Sequence, residues 1–519
     1  MKRREFLAAA AALPLACQVK SSFHGQLVGA SHQLGHKLGK TEMYQGRRQS
    51  VSVLILGGGM AALTAAWRLN AAGVDDFLIL ELEKQAGGNS RFAQYPASPA
   101  PWGAHYLPVP TQESRVVQRL LKEMGLILGF DAQGKARYDE GQLCHAAEER
   151  VYFQGRWEEG LFPRAAASPA EIAQMNAFEQ HIQDWKTRRD SQGRKAFALP
   201  LAYSSPQWRE LDRLSMADYL KRQGWDSPRL RWYVDYACRD DFGSSLEQTS
   251  AWAGLHYFAA RDAEVGDIDF VWPEGNGRLV TYLSRSLGER LRCNQLVTSL
   301  RQEGKKWLVD VWSDGPAGYQ AESVIWALPT FQRAYLLGEP ARPDFVYSPW
   351  TVTNLVLRKL PDSAGQLAWD NVLYDSPGLG YVVANHQSSS TRLGPSVWTH
   401  YRPWAELDPK AARQQLLKTN WNQAVREVLE DLAQAHPDLP EVLERADVMH
   451  WGHAMISPRV GFLWGESRIQ ASQSRQGLHF AHSDLSGMSI FEEASFQGVR
   501  AAQEVLNARA KLREDFLLS

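Results

Sequence analysis

The stretch VSVLILGGGMAALTAAWRLNAAGVDDFLILE, residues 51–81, decides the fold of this chain. Val51-Ser52-Val53-Leu54-Ile55-Leu56 is a short β-branched and aliphatic run, which suits a strand buried on both faces of a parallel sheet. Gly57-Gly58-Gly59-Met60-Ala61-Ala62 follows at once, Leu63 to Ala72 spaces its apolar residues as a helix does, and Gly73 ends that pattern. A second buried run, Phe77-Leu78-Ile79-Leu80, stops at Glu81. Strand, glycine turn, helix, strand and acid, in that order, predict an α/β unit that binds a dinucleotide.

The chemistry of that turn is specific. A doubly charged pyrophosphate is held by backbone N–H groups at the positive end of a helix dipole. Gly57 permits the tight turn, Gly59 removes the Cβ that would keep phosphates away, and Ala62 lets the helix lie close to the strand. Glu81, 24 residues after Gly57, stands where a carboxylate can accept both hydroxyls of an adenosine ribose. A 2′-phosphate would be repelled there. These residues, with Met60 and Ala61 at the start of the helix, are the candidate nucleotide contacts.

The chain has 519 residues, 44% hydrophobic and 22% charged, with 40 Gly, 25 Pro and 4 Cys, which excludes disordered, collagen-like and disulfide-stapled classes. At that length one core cannot organise everything, so about two to four core-sized units are expected. Lys+Arg 57 against Asp+Glu 58 leaves a formal charge of -1, and no segment concentrates basic residues enough to track a phosphate backbone. No nucleic acid is expected as a partner.

Residues 1–17, MKRREFLAAAAALPLAC, read as a targeting segment, with Lys2, Arg3 and Arg4 before an apolar run too short to cross a bilayer. Arg3-Arg4-Glu5-Phe6-Leu7 resembles the twin-arginine export motif. That implies the twin-arginine translocase as a partner, a periplasmic or other extracytoplasmic location, and a chain that captures its cofactor before export. Cys17, after Leu15-Ala16, resembles a lipoprotein processing site, although Pro14 stands where an aliphatic residue is usual; a lipid anchor there stays open. Cys144, Cys238 and Cys293 have no C-x-x-C spacing, so neither a metal site nor a complete disulfide framework is expected. Gln18 to Ser50 is polar and aperiodic and reads as a leader to the first domain.

Further on, Ser168-Pro169-Ala170-Glu171 is a capping box with proline at the first helical position, and Met175, Phe178, Ile182 and Trp185 mark the apolar face of the helix it opens. Asp408-Pro409 predicts another helix, with Leu417, Trp421, Val425 and Leu432 on its buried side. Leu296 to Leu300, Trp307 to Trp312 and Ser323 to Leu328 predict strands.

The continuation past Glu81 names the nucleotide. Glu81-Leu82-Glu83-Lys84-Gln85-Ala86-Gly87-Gly88-Asn89-Ser90 resembles the E-x5-G-G-R-[ST] signature of the flavin-containing amine oxidase superfamily, which includes monoamine and polyamine oxidases, protoporphyrinogen oxidase and carotenoid desaturases. Pro101-Trp102-Gly103-Ala104-His105-Tyr106 is similar to that superfamily's Gly-Ala-His passage close to the flavin, which makes Gly103, Ala104 and His105 candidate contacts. Gly477 to Asp484 resembles the strand whose acid bonds the ribityl or phosphate region, here Asp484, and Phe491 to Ala502 resembles the helix after it. Ser323 to Pro329 resembles the "VI-x-A-x-P" strand, and Val297 falls where members place a backbone contact to adenine. Gly275-Asn276-Gly277-Arg278-Leu279 resembles the turn that re-enters the flavin domain.

The resemblance implies an α/β fold, with a discontinuous Rossmann-like FAD-binding domain (51–105, 265–345 and 445–519) and an inserted α+β substrate domain (106–264 and 346–444). The FAD is expected to be non-covalent, because no Cys lies near Pro458 to Phe462, where some members form a thioether. A helix beginning near Phe491 would direct free N–H groups towards N1 and the C2 carbonyl of the reduced ring.

This sequence departs from the family pattern at three places. Asn89 replaces the usual arginine, which leaves phosphate neutralisation to Arg91 or the backbone, and Glu493 replaces a glycine. Asn354 falls where amine oxidases commonly place a lysine that holds a water near flavin N5. That departure moves weight from O2 towards a quinone or a carrier protein as electron acceptor. Hydride transfer needs a carbon about 3–3.5 Å from N5 in a dry pocket, and aromatic walls also favour cations. The substrate-side candidates are Asn354, Trp451, His453 and Phe462, with His105 on the flavin side and Trp464 as core. Arg239-Asp240-Asp241-Phe242-Gly243 reads as an exposed charged loop rather than as pocket wall. The expected reaction removes a hydride from a C–N or C–H bond of a small amine-like or apolar substrate. A lipid or isoprenoid desaturase or dehydrogenase, and a flavin-holding subunit without turnover, are the alternatives.

Overall fold

The structure, a computed structural model, describes residues 23–35, 38, 43–261, 268–388, 394–511 and 514–517. The arginine motif and Cys17 lie outside these residues.

Strand Gln49–Leu56 lies parallel between Phe77–Leu80 and Pro316–Trp326, with Leu54 opposite both Leu78 and Val324. Burial on both faces explains why these runs show no alternation. The seven-stranded sheet continues through Leu291–Arg292 on one side and Lys306–Trp312 and Leu296–Glu303 on the other. Leu478–Phe480 adds in parallel beside Pro316–Trp326, so the last strand in sequence joins the sheet that holds Gln49–Leu56. Helix Met60–Ala71 packs along the closing helix Phe491–Ala508. Their backbones approach so closely that a Cβ on Gly498 would overlap the Ala61 carbonyl.

The second sheet has eight strands in the order His24–Gly29, Leu443–Ile456, Tyr347–Leu357, Ser396–Pro403, Gly380–Val383, Asp370–Leu373, Glu149–Phe153 and Arg156–Glu159. Every residue of Tyr347–Leu357 is buried. Val425, Val428 and Leu432 of helix Trp421–Leu432 pack against Leu355, Leu357 and Val448 of this sheet. The Ser168 capping box forms as read, with Ser168 and Glu171 bonded reciprocally, and it opens helix Pro169–Thr187, which buries the four residues expected.

Four expectations are corrected. Part of the presumed leader is structure: His24–Gly29 is a parallel edge strand, running from His24 opposite Arg445 to Gly29 opposite His450. The boundary at 445 falls inside strand Leu443–Ile456, which belongs to the substrate sheet. Helix Arg115–Glu123, placed in the substrate domain, instead buries Val116, Val117, Leu120 and Leu121 in the core formed with Ile55 and Val499. The helix from Pro409 stops at Lys418 and a second capping box restarts it at Trp421, so Leu416 is buried and Leu417 is 59% exposed.

Candidate active site

The nucleotide end is built from glycines with different duties. Gly57 has a φ of +95°, and a Cβ there would meet the Ala327 carbonyl at 2.8 Å. A Cβ on Gly58 would meet the Glu81 carboxylate at 2.8 Å, whereas one on Gly59 would meet nothing within 4 Å. Gly59 is the N-cap of helix Met60–Ala71 and no side chain caps that helix. Its first-turn N–H groups therefore border open space, as an anion site requires. Gly87 N–H bonds the Gly58 carbonyl at 2.8 Å, which brings Gly88 against Gly59. Ser90 N–H bonds Gly87 at 2.9 Å and closes the turn. Glu81 accepts Gly58 N–H at 2.5 Å on one oxygen and Glu83 N–H at 2.8 Å on the other; burial raises its pKa. Gln295 N–H bonds the Glu81 carbonyl at 2.7 Å, which places nearby Val297 at the same end.

Two of the expected contacts have protein partners of their own. The Asn89 side chain donates to the Ala454 carbonyl, and its own carbonyl accepts Ala104 N–H at 3.0 Å. Asn89 thus ties the glycine turn to the substrate sheet, while Arg91 stacks over Trp451 at 5.0 Å and donates to Gly88 at 3.2 Å. Asp484 is buried, accepts Thr330 N–H at 2.8 Å and the Tyr347 hydroxyl at 2.5 Å, and pairs with His482 at 2.9 Å. Burial alone would raise its pKa, but these partners hold it below the usual carboxylate range.

Three consecutive carbonyls of the Pro101–His105 loop are held from the second sheet. Asn354 donates to Pro101 at 3.3 Å, Trp451 to Trp102 at 2.6 Å and Tyr401 to Gly103 at 3.0 Å. Beside this loop lies a cavity of about 140 Å³. His105, Tyr106, Tyr257, Trp350, Tyr401 and Trp451 give it aromatic walls. The His105 ring centroid is 4.5 Å from that of Tyr401, and burial drives its pKa down to about 4, so the imidazole is neutral. Ser489, Ile490, Phe491 and Glu492 also line the cavity. The uncapped N-terminus of the closing helix therefore opens onto it, starting at Phe491 as expected.

The charged lining residues are Asp240, Asp241, Glu492 and Arg261, three carboxyls against one guanidinium. The segment read as an exposed loop is the end of helix Pro228–Phe242, closed by left-handed Gly243 at φ +57°. Burial, with Asp241 beside it, raises the pKa of Asp240 well above its ordinary value. Burial also lifts Asp241 to about 6, against Arg261 and the Tyr106 hydroxyl, which donates to it at 3.3 Å. Glu492 is pushed up to about 7 by burial. Proline at 228, apolar Leu230, Val234 and Phe242, and glycine at 243 were the signal for a helix that carries both aspartates inward.

Three substrate-side candidates do not line this cavity. Asn354 is fully buried and accepts the Thr399 hydroxyl at 2.8 Å; Trp350 and Val352, nearer the start of its strand, are the ones that reach the cavity. His453 stacks on Phe331 at 4.3 Å, and Phe462 packs edge-on to Phe345 at 5.0 Å in the core. Trp464 packs edge-on to Trp252 at 5.8 Å, as core. No lysine or cysteine is among the described residues lining the cavity. Among the described residues no cluster of three or more His, Cys, Asp or Glu could hold a metal, and no helix is long and apolar enough to cross a membrane.

A glycine cradle and ribose acid at one end, and a helix N-terminus over an aromatic cavity at the other, define a dinucleotide-dependent redox protein. Residues 60–506 match the family described as flavin containing amine oxidoreductase, and the chain belongs to that family. It is an FAD-dependent oxidoreductase. The open space at Gly59, the Glu81 carboxylate and the unpaired Asn276 Oδ1 in the cavity wall fit that cofactor. Oxidoreductase PigB of a Serratia species is 23% identical over 513 residues, which covers 87% of this chain and 74% of PigB. The structure of putrescine oxidase bound to putrescine superposes with a TM-score of 0.63 at 15% identity, over 89% of this chain and 100% of that one. Cyclohexylamine oxidase from Brevibacterium oxydans gives 0.62 at 14% identity, over 89% and 99%. At those identities the two superpositions concern the fold alone.

Proposed function

We propose that this protein removes a hydride from the carbon–nitrogen bond of a small amine and leaves an imine. The observation that carries the reading is the presence of three carboxyls, Asp240, Asp241 and Glu492, against the single guanidinium of Arg261 in an aromatic-walled cavity at the N-terminus of the closing helix. FAD, when bound, supplies the hydride acceptor. Asp241, oriented by the Tyr106 hydroxyl, would hold the substrate's ammonium group, and the faces of Tyr401 and Trp451 would add cation–π attraction while excluding water. A lining that carries carboxyl groups suits an amine better than an uncharged lipid or isoprenoid. Both structural neighbours named above carry an amine in their names, in accord with this reading.

With no lysine on the described cavity walls, a quinone or carrier protein is the proposed electron acceptor. The Arg3-Arg4 motif supports export of the loaded protein through the twin-arginine translocase. The test is anaerobic mixing of the holoprotein with small amines, with alcohols of the same shape and with lipids, followed at the flavin absorption band. Bleaching by amines and not by the alcohols supports the reading. Bleaching only by lipids, or by no donor at all, overturns it.

A further inference from the structure

We propose that the amino-terminal segment His24–Gly35 is a strap that retains FAD, with Ser31 as a positioning residue acting through Glu83. The segment is fastened at one end to the substrate sheet. His24 to Gly29 pair in parallel with Arg445 to His450, and Gln26 N–H donates to the buried Asp447 carboxylate at 3.1 Å. The pairing is close: a Cβ on Gly25 would overlap the Ala446 carbonyl.

At its other end the segment reaches the nucleotide cradle. Ser31 N–H donates to one Glu83 oxygen at 2.8 Å and its hydroxyl donates to the other at 3.0 Å. Glu83 is a junction. Its own N–H bonds the Glu81 carboxylate at 2.8 Å, its carbonyl accepts Asn294 N–H at 3.1 Å, and its carboxylate lies 3.4 Å from the Arg91 guanidinium. Arg91 in turn bonds Gly88 in the second glycine turn. The strap therefore acts on both through one residue: the Glu83 carboxylate holds the arginine beside the turn that would face the pyrophosphate, and the Glu83 backbone N–H holds the acid that would bind the ribose.

Hydrogen bonds to a charged acceptor are stronger than neutral ones, so loosening Ser31 should be felt at Glu83. By thermodynamic reciprocity, a strap that steadies FAD must itself be steadied when FAD binds. This inference does not depend on which substrate the enzyme oxidises.

The experiment uses the full-length holoprotein and follows FAD release by its fluorescence on dilution. Ser31→Ala is expected to release FAD about threefold faster, and Gly25→Val, which unseats the strand, at least about tenfold faster. In wild type, amide hydrogen exchange of residues 26–31 should slow when apoprotein is loaded with FAD. A release rate for Ser31→Ala equal to wild type, or identical exchange in apo and loaded protein, overturns the proposal. Both readouts stand even if Gly25→Val does not fold.

Discussion

Tyr401 donates its hydroxyl to the carbonyl of Gly103 at 3.0 Å, and that contact fastens the middle of the substrate sheet to the loop ending at His105. With Asn354 on Pro101 and Trp451 on Trp102, three neighbouring strands hold three consecutive carbonyls. The second domain thus shares in setting the loop's position, beside the backbone bonds of Trp102 to Arg91 and Ala104 to Asn89.

Tyr401→Phe removes one of the substrate sheet's three grips on that loop while keeping the ring in the cavity wall. Loss of one buried hydrogen bond should cost about 1 kcal/mol in urea unfolding, and misplacement of the His105 wall should lower kcat/KM about tenfold. FAD content should stay at wild-type stoichiometry. A variant that keeps wild-type turnover would show that the loop holds itself.

Gly59→Asp should abolish FAD retention and leave the fold intact. A Cβ there meets no protein atom within 4 Å, so the new side chain starts in the space the phosphates need and brings a like charge with it. The purified variant should be colourless with a wild-type far-ultraviolet spectrum; yellow protein at normal stoichiometry would refute the turn assignment.

Cation binding in the cavity should strengthen as pH rises through 6. Burial raises the Asp241 pKa to about 6, so its carboxyl is mostly neutral at pH 5 and mostly ionised at pH 7. Glu492, pushed up to about 7, adds in the same direction, while His105 stays neutral down to about 4. Tetramethylammonium, whose charge does not change, should inhibit about tenfold more tightly at pH 7 than at pH 5. Asp241→Asn should flatten that dependence, and an inhibition constant that does not vary with pH in wild type would remove Asp241 from the site.

Asn354→Leu tests a structural role against a catalytic one. It leaves the Pro101 carbonyl and the Thr399 hydroxyl without their partner inside the protein, at a cost of about 1–3 kcal/mol. The KM for the best amine donor should stay within about twofold of wild type, because Asn354 does not border the cavity. A KM raised more than tenfold in folded protein would restore Asn354 to the substrate site.

The nucleotide half was legible because its physics is local. A run buried on both faces, a glycine forced to φ +95°, and an acid at a strand end all leave marks within thirty-one residues. Phe491 was legible through the family resemblance of its segment, because Ile490 before it provides no side-chain cap to mark the start. The cavity is assembled from residues far apart, and local pattern misleads there. Asp240 and Asp241 look solvated beside Arg239, yet Arg239 is itself buried and paired with Asp235 at 2.9 Å, so their helix continues and turns them inward. Phe462 and Trp451 are equally aromatic and eleven residues apart; only the strand holding Trp451 borders the cavity. His24–Gly29 escaped notice because an edge strand with its side chains largely exposed has no hydrophobic alternation to betray it.

That edge strand also sets an order of events during synthesis. Gln26 finds Asp447 only 421 positions later, so a strand that leaves the ribosome early is among the last of the described strands to settle. The strand Leu478–Phe480 and the helix from Phe491, which complete the flavin domain, are made later still, so cradle and clasp are finished together at the end of synthesis.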